Sequence, residues 1–67
     1  MQRTRLRKIR IERGLTLTEV ADHIGIFRSS LGNIETGRRN PSLKVAIALE
    51  KFYGIPISEL LQEDDEE

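Results

Sequence analysis

Residues 16–37, TLTEVADHIGIFRSSLGNIETG, constrain this chain more than any other stretch. Thr16 with Glu19 three residues later is the capping-box arrangement, in which a hydroxyl and a carboxylate each satisfy one free backbone N–H at a helix start. A helix is therefore expected from about Leu17 to His23, with Val20, Ala21 and Ile24 inward and His23 on the surface near a favourable dipole end. Gly25 follows, where a left-handed backbone turns the chain sharply with no Cβ penalty. A further helix over about 28–36 puts Leu31 and Ile34 on one face, with Glu35 beside them, and leaves Arg28, Ser29, Gly32, Asn33 and Thr36 on the other. Its outer side chains are mostly short and polar, a surface able to lie close against something.

The flanks read as support. From 4 to 13, Leu6, Ile9 and, less centrally, Ile11 recur at helical spacing among Arg3, Arg5, Arg7, Lys8, Arg10 and Arg13, with Thr4 as N-cap and Gly14 as the stop. Any one of these arginines reads as part of a solvated face. Six basic residues against one acid within the first 14, however, repel one another unless an anion faces them. Beyond Gly37, Arg38-Arg39-Asn40-Pro41-Ser42 is a loop that prefaces a helix capped by Asn40 or Ser42. In that helix, over 43–53, Leu43, Val45, Ala46, Ile47, Ala48, Leu49, Phe52 and Tyr53 exceed what one buried stripe can hold, so the helix is central or meets a second surface. Gly54 ends it, and residues 55–61 give a last short helix with Pro56 near its first turn.

No strand alternation, repeat or linker is present, so the expected fold is all-α: five helices in one domain over residues 1–62, followed by an acidic tail, 63–67, with the composition of disorder. A chain of 67 residues makes one domain with a barely sufficient core. Without Cys there are no disulfides, thiolate metal sites or cysteine nucleophiles, and His23 alone builds no metal cluster. With no carboxylate pair, nucleophile–base set or phosphate loop either, neither an enzyme nor a cofactor is expected. The longest apolar run is the VAIAL of 45–49 and no leader pattern is present, so the expectation is a soluble, cytoplasmic chain with no membrane partner. The net charge of zero hides an asymmetry. Residues 1–61 carry all 11 basic residues against six acids (Glu12, Glu19, Asp22, Glu35, Glu50, Glu59), and the tail residues Glu63, Asp64, Asp65, Glu66 and Glu67 cancel the difference.

Arg10, Gly14-Leu15-Thr16, Glu19-Val20-Ala21, Ile24-Gly25-Ile26, Arg28-Ser29, Ile34-Glu35, Gly37-Arg38-Arg39-Asn40-Pro41-Ser42-Leu43 and Gly54-Ile55 stand in order and without gaps. Over residues 5–61 the chain so resembles the Cro and phage-repressor family of DNA-binding domains, the XRE-type helix-turn-helix proteins. The resemblance implies a compact lambda-repressor-like fold with the helix-turn-helix at its second and third helices. It also implies a sequence-specific regulator of transcription that binds double-stranded DNA, foremost a homodimeric repressor reading a palindromic operator, cytoplasmic and nucleoid-associated. The third helix would enter the major groove and place Arg28, Ser29 and Asn33, with Phe27 before them, at the base-reading positions. Arg can bridge guanine O6 and N7, and Asn can pair with adenine. Leu17 and Thr18 at the start of the second helix, and Arg38, Arg39 and Asn40 in the loop, match phosphate-binding positions. Arg10 matches a residue that pairs with Glu35 and also nears the phosphates.

Three residues depart from the pattern. Leu17 stands where the family often has Gln, leaving only backbone for recognition. Phe27 replaces the usual Ser or Thr, removing a cap worth about 1 kcal/mol, and three placements stay open for it: against a thymine methyl, tucked into the domain, or exposed. Gly32 costs roughly 1 kcal/mol relative to Ala, for close approach to the sugar-phosphate backbone or as a tolerated weakness.

One recognition helix covers few base pairs, so such domains pair and read half-sites roughly 34 Å apart. Tyr53, Ile55, Ile57, Leu60 and Leu61, with Phe52 in support, are the candidates for the pairing surface, though most could instead complete the monomer's core. The competing reading is an antitoxin or other interaction module that binds its own operator while the acidic tail engages an unidentified protein partner. A restriction-modification controller is a special case of the first reading. The tail itself reads as a solubilising end or as a competitor that lowers nonspecific DNA binding.

Overall fold

In the computed structural model, which describes residues 4–63, apolar periodicity and local stop signals divide the chain into five helices: α1 (Arg5–Glu12), α2 (Leu17–Ile24), α3 (Arg28–Glu35), α4 (Leu43–Tyr53) and α5 (Ile57–Leu60). Each begins or ends where a specific residue makes it. Thr16 Oγ1 accepts from the Glu19 amide at 3.1 Å and Glu19 Oε1 accepts from the Thr16 amide at 2.8 Å, so the capping box that opens α2 is complete. Gly25 closes α2 at φ +87°, a left-handed conformation that a Cβ would oppose. Between the two candidate caps of α4 the structure selects Ser42, whose hydroxyl accepts from the Val45 amide at 3.2 Å. The start of α5 is held from outside: Glu50 Oε2, on α4, accepts from the Ile57 amide at 2.7 Å, with Pro56 at the N-cap position.

Leu6, Val20, Ala21, Leu31, Ile34, Leu49, Tyr53 and Leu60 form the core, to which every helix contributes. The surplus of apolar residues on α4 divides in two. Leu49 and Tyr53 point inward with Val45 and Phe52 packed beside them, whereas Leu43 and Ile47 stand exposed. Ile11, the less central apolar residue of α1, is also exposed.

The two ends of the described chain meet. Thr4 occupies the N-cap position of α1, but its hydroxyl makes no cap. Its amide and Oγ1 both donate to the Glu35 carbonyl, at 2.9 and 3.0 Å. That carbonyl ends α3, where a helix leaves its last acceptors open, and it draws Thr4 into a tertiary bond 31 residues away in sequence. Glu63, expected to begin the tail, forms an antiparallel bridge with Thr4. The rest of the expected tail, residues 64–67, lies outside the described residues.

Candidate nucleic-acid interface

Arg10 and Glu35 join α1 to α3. Arg10 Nε donates to Glu35 Oε2 at 2.8 Å and Nη2 to Oε1 at 3.2 Å, a bidentate pair whose side chains are 11% and 2% exposed. Nη1 donates to the Leu15 carbonyl at 2.9 Å. The pairing implied by the resemblance is thus present, and three of the five guanidinium N–H groups are engaged by protein. Arg10 serves an internal role, because a carboxylate as enclosed as Glu35 requires its cation. With Thr4 on the Glu35 carbonyl, the C-terminal end of α3 is fixed to α1 through both backbone and side chain.

Tyr53 lies in the same interior. Arg13 Nη2 donates to its carbonyl at 3.0 Å and the Arg13 guanidinium sits 5.2 Å from its ring centroid. Its hydroxyl is buried with no hydrogen-bond partner among the described residues. Burial first, and the Glu35 charge second, push the phenol from 10.0 up to about 12, against the pull of Arg10 and Arg13.

The opposite face of α3 is open. Its buried side chains are Leu31, Ile34 and Glu35, leaving Arg28 and Ser29 exposed and Asn33 half-buried. Phe27 is 81% exposed, which removes the placement inside the domain, and it makes no side-chain cap. Helix geometry leaves the amides of Arg28, Ser29 and Ser30 without intrahelical acceptors, while Leu31 donates to the Phe27 carbonyl at 3.1 Å. A Cβ built on Gly32 would meet nothing within 4 Å. At the start of α2 the capping box takes the Glu19 amide, and the Leu17 and Thr18 amides precede it. Leu17 packs partly against the core and Thr18 is exposed. Arg38, Arg39 and Asn40 are exposed. The amides of Arg38 and Arg39 donate to the Asn33 carbonyl at 2.9 and 3.2 Å, folding the loop back onto the end of α3.

The candidates for a pairing surface separate. Tyr53 is 3% and Leu60 0% exposed, so both lie in the monomer's own core, the alternative left open for them. Ile55, Ile57 and Leu61 remain partly accessible. What residue patterns missed are three bonding groups: the Thr4 hydroxyl on the Glu35 carbonyl, the Leu15 carbonyl that takes Arg10, and the Glu50 carboxylate on the Ile57 amide. Among the described residues no helix is long and apolar enough to cross a membrane, and no group of His, Cys, Asp or Glu could hold a metal ion.

The Helix-turn-helix family matches residues 6–60. The chain is 37% identical over 62 residues to the cryptic phage CTXphi transcriptional repressor RstR of Vibrio cholerae, covering 92% of this chain and 56% of that repressor. The restriction-modification controller protein C.AhdI from Aeromonas hydrophila superimposes with a TM-score of 0.73 at 38% identity, over 84% of this chain and 85% of that one. The N-terminal DNA binding domain of SinR from Bacillus subtilis gives a TM-score of 0.73 at 30% identity, over 92% and 91%.

Proposed function

The chain belongs to the helix-turn-helix family of DNA-binding transcriptional regulators, not to a family of enzymes, and from that premise we propose that it is a homodimeric repressor that reads a palindromic operator through α3 in the major groove. The observation that carries the reading is the division of α3, braced on one side by Arg10 and Glu35 and open on the other at Arg28, Ser29 and Asn33. A rigid support matters because bidentate base contacts tolerate little displacement. Arg28 suits guanine and Asn33 suits adenine, with Ser29 as an adaptable neighbour. The exposed Arg38, Arg39 and Asn40, with the first amides of α2 at Leu17 and Thr18, hold the sugar-phosphate backbone and set the register. Ile55, Ile57 and Leu61 supply the pairing surface, so that two copies of α3 meet successive turns of the groove. Bound at a promoter in the cytoplasm, on the nucleoid, such a dimer represses by occlusion. The likeness to a restriction-modification controller places the genes of such a system among the targets to test.

Selection of bound sites from a random duplex pool is the direct experiment: a palindrome with half-sites about one helical turn apart is expected, and enrichment of no sequence would reject the reading. On the selected site, Arg28→Ala should cost about 1–3 kcal/mol and leave random DNA little affected, whereas Arg38→Ala should weaken both and lower the salt slope by about one. Equal losses on both DNAs from Arg28→Ala would count against direct readout by that residue.

The exposure of Leu43 and Ile47 favours a second reading, in which this face of α4 takes a protein partner in the manner of an antitoxin. Co-purification of a stoichiometric second protein would support it.

A further inference from the structure

Resting on the backbone-holding role proposed for Arg38, Arg39 and Asn40, we propose that the acidic segment 63–67 is a phosphate mimic, one that occupies this loop in the free protein and is displaced when a duplex binds. The fold fixes where the segment starts. The Arg5 amide donates to the Gln62 carbonyl at 2.8 Å, and Glu63 forms the antiparallel bridge with Thr4. Thr4 in turn holds the Glu35 carbonyl at the end of α3, and the loop that follows is folded back onto the Asn33 carbonyl. Glu63 therefore lines one cleft with Thr4, Gly37, Arg39 and Asn40. An acid already stands beside the loop assigned to the sugar-phosphate backbone.

Charge and reach name the occupant. Arg38 and Arg39 are exposed, and among the described residues no carboxylate is paired with either guanidinium. Asp64, Asp65, Glu66 and Glu67 follow Glu63 with no basic or apolar residue between them. Four residues span at most roughly 13 Å, enough to serve two consecutive arginines from the cleft in which Glu63 stands. A segment tethered so closely acts at an effective concentration on the order of millimolar, which a separate small anion does not match at equal total concentration. The loop meets phosphate on any sequence, so the segment weakens operator and random duplex by the same factor. Nonspecific complexes are the weak ones, and that factor empties random DNA while the operator, held by base contacts as well, stays filled.

The experiment compares the full chain with a variant neutral over the segment (Glu63→Gln, Asp64→Asn, Asp65→Asn, Glu66→Gln, Glu67→Gln), which keeps its length and the backbone bridge to Thr4. Without DNA, the Nε–H resonances of Arg38 and Arg39 should differ between the two chains at low salt and converge at high salt, where exposed charges are screened. At low salt the neutral variant should bind the selected operator and random duplex alike, roughly five-fold more tightly than the wild type, the size expected of two exposed ion pairs. Its salt dependence should be steeper, because the competitor it lacks fades as salt rises. In a background carrying Arg38→Ala and Arg39→Ala the gain should vanish, whereas a gain that came merely from removing negative charge would persist. Persistence of the gain in that background would overturn the proposal. So would arginine resonances that ignore the five substitutions, which would leave the segment a solubilising one; an operator preference kept by the full chain would then leave the repressor reading standing. Arginine resonances that respond while neither chain binds any duplex would sink the DNA-reading role, and the competition with it.

Discussion

α2 and α3 are each eight residues long and meet at one glycine turn, yet they are finished in opposite ways. α2 opens on a capping box in which hydroxyl, carboxylate and two amides satisfy one another, and it closes on a left-handed glycine. α3 opens on an exposed phenylalanine that caps nothing, carries a glycine at mid-helix, and is secured at its far end by a buried ion pair and a threonine from α1. Local stability has been placed in the helix that supports, and long-range bracing in the helix that is offered outward. A helix whose own start is left unfinished can present that start to a ligand only if something else holds it still.

Removing the brace is the harshest way to break this contrast. Arg10→Ala leaves the enclosed Glu35 carboxyl without its partner, and the expected loss is about 3–5 kcal/mol in urea denaturation, a large part of the stability of so small a domain. A loss below about 1 kcal/mol would mean that the pair behaves like a surface ion pair, and that α3 is held by packing and by the Thr4 bonds to the Glu35 carbonyl.

A second consequence of the closed interior is a dependence on high pH. Tyr53 ionises near 10.0 when unfolded and near 12 in the fold, because burial disfavours the phenolate. Between those values the unfolded chain binds fewer protons than the native one, so stability is intact below about pH 10 and falls, by on the order of 2 kcal/mol, as pH rises to about 12. Denaturation of Tyr53→Phe over the same range should lack this component. At neutral pH the variant, which deletes an unpartnered hydroxyl, should equal the wild type or exceed it by about 1 kcal/mol. Parallel curves for the two proteins above pH 10 would show that the hydroxyl is solvated.

The contrast also explains which parts of the molecule could be read in advance. The capping box of α2, the turn at Gly25 and the inward set Leu31 and Ile34 follow from spacing over one or two helical turns, and they appear where expected. Thr4, Glu50 and Tyr53 act between helices, so that their side chains could be named but not assigned: a cap became a clasp on α3, Glu50, counted only among the acids, caps α5, and Tyr53, open to either pairing or core, lies in the core. Phe27 was undecided for a related reason. It precedes the first helical turn, where 3.6-residue periodicity does not say which way a side chain points, and only the packed structure shows the ring to be exposed. The pairing of Arg10 with Glu35 came from family resemblance, since 25 residues of sequence separate the partners.

Thr16→Ala tests the supporting helix directly. It should cost about 1 kcal/mol by thermal unfolding while leaving the ratio of operator to random DNA affinity unchanged, because the capping box faces its own helix. A change in that ratio would show that the start of α2 does more than hold the backbone.

Gly32 tests the offered helix by the smallest change. No part of the fold requires a glycine there: the position is helical, its φ is not in the left-handed region, and an added Cβ would meet nothing within 4 Å. Gly32→Ala should therefore raise stability by up to about 1 kcal/mol. A residue that weakens its own helix without benefit to the monomer makes physical sense if the space above it is filled by something outside, and on the DNA-reading role proposed for α3 that is the sugar-phosphate backbone. The same substitution is then expected to reduce operator affinity roughly tenfold, about 1.4 kcal/mol, so that stability and binding move in opposite directions. If both rose together or binding stayed unchanged, Gly32 would be a tolerated weakness, and the difference between α2 and α3 would rest on the start of α3 alone.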